Sequence, residues 1–198
     1  MKVLCWILIL FSLFSNNAYA IAPINSGIIK QAQEYGVSHV NDSLITFLQP
    51  WISYEERATK LNETSERAYL YTTFLLLATD AREKKANGKV VSISDSEQII
   101  TDYSGTLSFS VTLFGKDSSF SRNTTAVLRQ GKSKIKAYQI TAPNEAEKCD
   151  WLNSKLYTAQ CYFYFDEREI DISKPVVLSV LAHDKQERKF YFDLGNIK

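Results

Sequence analysis

An α+β protein, with an N-terminal helical layer packed on a C-terminal antiparallel β-sandwich, is predicted by a change of hydrophobic period near Gly88. Before that glycine, apolar residues recur at helical spacing. After it they alternate in six or seven short segments separated by turn residues. Segments of that number and spacing point to a sandwich, with the immunoglobulin type as one candidate topology. The domain reading is a signal peptide over 1–20, a helical region over 21–88 and a β-sandwich domain over 89–198.

The chain opens MKVLCWILILFSLFSNNAYA, with Lys2, an apolar run from Val3 to Phe14, polar Asn16 and Asn17, and then Ala18-Tyr19-Ala20. That order is the one of a secretory signal peptide, with cleavage expected after Ala20. The run is shorter than the roughly 18 residues that argue for a spanning helix, and no later segment reaches that length. No integral membrane segment is expected after cleavage, and the expected location is secreted or periplasmic.

Three regions before Gly88 read as helices. In NSGIIKQAQEYG, Ile28, Ile29, Ala32 and Tyr35 fall at helical spacing, and Gly36 is expected to end the helix as its C-terminal cap. VNDSLITFLQPW is a second short apolar segment that Pro50 should stop. A long helix is expected from the capping box Ser53-x-x-Glu56 to about Ala86, ended by Asn87-Gly88. Along it Ala68, Tyr71, Leu75 and Ala78 line one face and Leu70, Phe74, Leu77 and Ala81 the next, as in a helix buried between layers.

Beyond Gly88, TLSFSVTLF alternates Leu107, Phe109, Val111 and Leu113 with Thr106, Ser108, Ser110 and Thr112, the signature of a half-buried strand. Further strands are expected over 121–130, 135–141, 156–165, 176–183 and 188–194. Turn residues separate them at Gly115-Lys116-Asp117, Gly131-Lys132, Pro143-Asn144 and Asp184-Lys185.

Charge excludes two classes of partner. The chain carries 23 basic and 22 acidic side chains, and loss of Lys2 with the signal leaves 22 of each. A balanced chain has no electrostatic case for nucleic acid or an anionic membrane surface.

Two cysteines outlast the signal, Cys149 and Cys161, and in an exported protein a disulfide between them is expected. A turn at Asn153-Ser154 would set Cys149 opposite Thr158, so the bridge would tie a loop before Trp151 onto the strand carrying Cys161. Such a loop closure contributes about 3 kcal/mol. His39 and His183 are the only histidines, each without a partner at ligand spacing, so no metal site is expected and no cofactor is implied.

Other motifs are weak. Gly131-Lys132-Ser133 ends like a phosphate-binding loop, but Ala126 occupies the first glycine position and no helix follows. His183-Asp184 has no nucleophile in a recognised arrangement and reads as a turn. DEREID lacks the glycine and spacing of a calcium loop. Asn41, Asn62 and Asn123 begin glycosylation sequons, which matter only in a source that glycosylates.

The aromatic residues carry the functional expectation. In YTAQCYFYF, Tyr157, Cys161, Phe163 and Phe165 share one face while Tyr162 and Tyr164 share the other; KFYF sets Phe190 and Phe192 against Tyr191. One sandwich face needs only one apolar set, so the second set covers something: Tyr162, Tyr164 and Tyr191 either pack beneath the apolar helix of Ala68 to Ala81 or stand exposed as the candidate binding surface. The residues carry no family signature beyond the generic sandwich. The expected function is a non-catalytic binding or scaffolding protein of the cell envelope, with a protein, peptide or glycan partner. Two alternatives are an envelope-polymer hydrolase using Asp166, Glu167, Glu169 and His183, and a carrier of an apolar ligand between helices and sheet, in a cavity lined by Leu70, Phe74, Leu77 and strand aromatics.

Overall fold

The computed structural model describes residues 24–150 and 155–197. The expected signal peptide and Trp151 lie outside the described residues. Helix α1 (Ser26–Ser38) starts where the Asn25 side chain accepts hydrogen bonds from the Gly27 and Ile28 amides. Gly36 does not cap it. The helix continues to His39, and a Cβ at Gly36 would stand 2.0 Å from the Ala78 carbonyl oxygen. Glycine is required there by backbone contact between helices, not by the end of one. α2 (Leu44–Leu48), capped by Ser43, runs into a 3-10 turn containing Pro50, as its sequence predicts.

No helix begins at Ser53. Ile52–Tyr54 is strand β1, Arg67–Tyr71 is strand β2, and α3 spans only Thr73–Ala86 with Thr72 as its cap. The Ser53 hydroxyl accepts from the Tyr191 amide at 2.9 Å and so does not serve a helix N-terminus. In β2, Ala68 and Leu70 point into one apolar cluster and Tyr69 and Tyr71 into another. That period of two had merged with the helical stripe that follows it. Helix α4 (Ile93–Tyr103) was not foreseen, although Ser92 caps it through the Asp95 amide. Lys84 ties α4 to α3, lying 2.7 Å from Asp80 and 2.8 Å from Asp95.

The remaining strands are β3 (Thr106–Gly115), β4 (Thr125–Gln130), β5 (Ser133–Lys136), β6 (Gln139–Thr141), β7 (Glu147–Lys148), β8 (Tyr157–Asp166), β9 (Pro175–Leu181) and β10 (Glu187–Asp193). They form two antiparallel sheets, one in the order β1-β2-β3-β8-β6 with β7 also on β8, the other in the order β10-β9-β4-β5. Setting β2-β3-β8-β6 against β10-β9-β4-β5 gives the ABED and GFCC′ strand orders of an immunoglobulin sandwich. α3 and α4 are inserted between its first two strands. The single strand expected over 135–141 divides at Ala137-Tyr138, because the chain there crosses from one sheet to the other. The Ala137 amide still bonds Ala126, and the Tyr138 amide bonds Tyr164.

Between the sheets, Phe109 packs edge-on to Phe165 at 5.7 Å and against Phe192 at 5.2 Å. A second cluster, built on Trp51, Phe47, Tyr69, Phe74, Leu75 and Leu77, fixes the helices to the outer face of the first sheet. Leu70 belongs to the inter-sheet core, whereas Phe74 and Leu77 belong to the helical cluster, where Trp51 stacks on Phe74 at 6.0 Å. Leu70 therefore does not face the same space as Phe74 and Leu77, as a cavity lined by all three requires. β3 is buried on both faces, not one: Ser108, Ser110 and Thr112 are each less than a tenth exposed. A central strand flanked by large side chains loses its solvent face.

Cys149 and Cys161 are both buried and unpaired, which corrects the expected disulfide. The reason is register. β7 pairs with β8 so that the Cys149 amide bonds the Leu156 carbonyl at 2.9 Å, setting Cys149 opposite Leu156 and not Thr158. Cys161 is then about 16 Å farther along β8 at ~3.3 Å per residue, on the opposite face. A bridge requires Cα atoms within about 7 Å. Cys161 instead packs in the inter-sheet core, where burial pushes its thiol up to about 12.

Candidate functional site

Strand alternation turns Tyr162 and Tyr164 away from the core that Cys161, Phe163 and Phe165 enter. Register across the first sheet then builds rows on its outer face. Tyr71 lies opposite Ser108, which lies opposite Tyr164. Tyr69 lies opposite Ser110, which lies opposite Tyr162. Arg67, Thr112 and Gln160 form a third row, and Thr106 with Asp166 a fourth. Small hydroxyl residues on the central strand and tyrosines on both neighbours make a trough. Its floor is hydrogen-bonded, with Gln160 donating to Ser110 and accepting from Thr112 at 2.9 Å.

Leu76 of α3 and Tyr103 at the end of α4 rise over this face. With Tyr71, Ser108, Phe109, Tyr162 and Tyr164 they line a pocket of about 180 Å³ at the junction of helices and sheet. Tyr138, at the crossover between sheets, packs on Tyr164 at 6.5 Å and shares a hydrogen bond of 3.1 Å with Thr106. It also borders an adjoining pocket of about 470 Å³ lined by Ser104, Gly105, Thr106, Asp166 and Arg168. There Arg168 grips the Asp166 carboxylate at 2.6 and 2.9 Å and holds it well down, to about 2. The pocket at the helical junction is thus uncharged, while the Asp166–Arg168 ion pair lies at one end of the rows. At the other end lies Arg67, whose guanidinium donates to the Tyr69 hydroxyl and to the Glu63 and Ser65 carbonyls.

Burial, and after it the neighbouring phenols Tyr103, Tyr162 and Tyr138, raise the Tyr164 hydroxyl above its ordinary value. Tyr71 is raised by burial and then by Tyr162. Three tyrosine hydroxyls elsewhere are engaged: Tyr35 donates to the Phe47 carbonyl, Tyr69 accepts from Arg67 and Tyr191 donates to Glu56. Among the described residues, the hydroxyls of Tyr71, Tyr103, Tyr162 and Tyr164 make no hydrogen bond. A partly buried phenol ordinarily finds a partner, and these four face the trough.

The expected three-tyrosine surface is not continuous. Tyr191 sits on β10 of the other sheet, where Glu56 takes its hydroxyl and also pairs with Lys189 at 3.0 Å. That is a fastening of β10 to the segment after β1. Sequence reasoning missed Tyr71, placed in a helix, Tyr103, which lies outside the expected elements, and Tyr138, which lies within the strand expected over 135–141.

The carboxylates near Asp166 and the His183-Asp184 turn do not converge. Thr106 pairs with Asp166 at one end of β3, while Asp184 is held by Arg188, whose guanidinium also donates to the Phe114 carbonyl at the other end. The length of β3 separates them, about 30 Å at ~3.4 Å per residue. The two groups therefore do not share one pocket. Among the described residues no cluster of histidine, cysteine and carboxylate could hold a metal ion, and no helix is long and apolar enough to cross a membrane. No family model, curated protein or solved structure matches the chain.

Proposed function

We propose that this chain is an exported, non-catalytic binding protein of the cell envelope that holds its partner in the tyrosine trough on the outer face of the first sheet. The observation that carries the reading is the row Tyr71-Ser108-Tyr164 with the neighbouring Tyr162, which together with Tyr103 leave ring faces and hydroxyls lining a groove beside the helices. Tyrosine and serine together suit recognition: the rings supply rigid amphipathic area at low entropic cost, and the hydroxyls adapt their hydrogen bonds. Export rests on the order of charge, apolar run and Ala18-Tyr19-Ala20 at the N-terminus.

Cosedimentation with insoluble envelope material of the source organism tests this. The mature protein is expected in the pellet, and a folded Tyr162→Ala/Tyr164→Ala variant in the supernatant. Equal partitioning of the two would remove the trough as the binding site.

A further inference from the structure

We infer that the ligand of the trough is an uncharged oligosaccharide, bound with sugar rings against Tyr162, Tyr164 and Tyr103 and with its hydroxyls over the Ser108, Ser110 and Gln160 floor. The inference rests on the binding reading above and names the chemistry of its partner.

Charge is the first argument. The pocket of about 180 Å³ is lined by Tyr71, Leu76, Tyr103, Ser108, Phe109, Tyr162 and Tyr164, without one ionisable group that is charged near neutral pH. A charged ligand would be desolvated there with nothing to compensate it. A neutral one fits.

The mixture of surfaces is the second. An apolar ligand would leave the four tyrosine hydroxyls, which make no hydrogen bond among the described residues, without partners, at the cost of their desolvation. A sugar ring presents an apolar C–H face for the aromatic rings and a rim of hydroxyls that both donate and accept. It matches a lining that alternates rings with hydroxyls.

Backbone pairing argues against an extended peptide. Strands β3 and β8 pair with each other through the whole run from Thr106–Asp166 to Gly115–Tyr157. The trough is therefore a sheet face with no free ladder edge, and a peptide laid in it could not add as a strand.

Length favours a chain over a single sugar. Rows from Thr112-Gln160 to Thr106-Asp166 extend about 20 Å at ~6.7 Å per row. The second pocket continues past Tyr138 to Asp166 and Arg168. Those two side chains, already joined, offer carboxylate and guanidinium edges to hydroxyls or amides of the terminal unit.

The test is a nuclear magnetic resonance titration of the mature protein with neutral glucan and N-acetylglucosamine oligomers, from mono- to hexasaccharide, beside a proline-rich peptide that also suits aromatic grooves. Amides of β3 and β8 should shift with the oligosaccharides, affinity should grow with chain length, and added salt should not weaken it. Tyr162→Ala should lose about tenfold or more in affinity, the range for removing one stacked aromatic. Tyr162→Phe keeps the ring and the fold and should retain most of it, while Ser108→Leu should block the floor. Shifts with the peptide and none with any oligosaccharide would overturn the glycan and leave the binding trough standing. No shift with either would overturn both.

Discussion

Arg188, buried at the end of the sandwich, holds the Asp184 carboxylate through two parallel hydrogen bonds of 2.7 and 2.8 Å. The same guanidinium donates to Glu66 at 3.0 Å. It thereby joins β10, the turn before it and the segment leading into β2. Burial pushes the Glu66 carboxyl up even though Arg188 draws it down. At Asp184 burial is the largest single influence and acts upward too, but the hydrogen bonds from Arg188 and the Gln186 amide, with the Arg188 charge, together hold the group low.

Arg188→Ala leaves these two carboxylates in a largely buried place without their cation. Loss of a buried partner costs about 3–5 kcal/mol. Urea unfolding followed by circular dichroism should show that loss, and Arg188→Met with Glu66→Gln should recover part of it by removing one orphaned charge. A loss below about 1 kcal/mol would mean the pair behaves as a solvated surface bridge.

Cys149 and Cys161 should remain thiols in the folded protein even under oxidising conditions. Intact-mass measurement after exposure to oxidised glutathione should give the dithiol mass, and alkylation should be slow until denaturant is added. Cys161 should react last, because its thiol is fully buried and raised to about 12. A disulfide mass for the native protein would contradict the β7 and β8 register.

Tyr71 and Tyr164 should titrate late. Both are raised from the ordinary value of 10.0, chiefly by burial. Above that pH the unfolded chain loses protons that the folded state retains, so stability falls as pH rises past 10.0 toward the folded values. Ultraviolet titration of tyrosinate should resolve a late component that shrinks in Tyr164→Phe. Titration of all tyrosines together would place these rings in open solvent.

Much of the fold follows from local pattern. The alternation of β3, β8, β9 and β10, the turns between them and the apolar face of α3 can each be read from neighbouring residues, because period and turn chemistry act over a few positions. The same alternation was enough to turn Tyr162 and Tyr164 outward. β1 and β2 were lost because Ala68 and Leu70 also satisfy a helical stripe, and only pairing with β3 selects the strand. α4 could have been read from Ser92-x-x-Asp95 ahead of Ile99 and Ile100.

Register was beyond the sequence. Nothing local states that Ser108 lies between Tyr71 and Tyr164, or that Cys149 meets Leu156, since each pairing joins segments whose alignment is set by the packing of the whole sheet. The sequence by itself determined the layers, the balanced charge and the outward tyrosines of β8. Only the tertiary structure decided that those tyrosines flank a hydroxyl floor, that Tyr191 belongs to another sheet and that the cysteines stay apart. Side-chain direction within a strand is local, whereas the neighbour across a strand is chosen by the cooperative burial of one face.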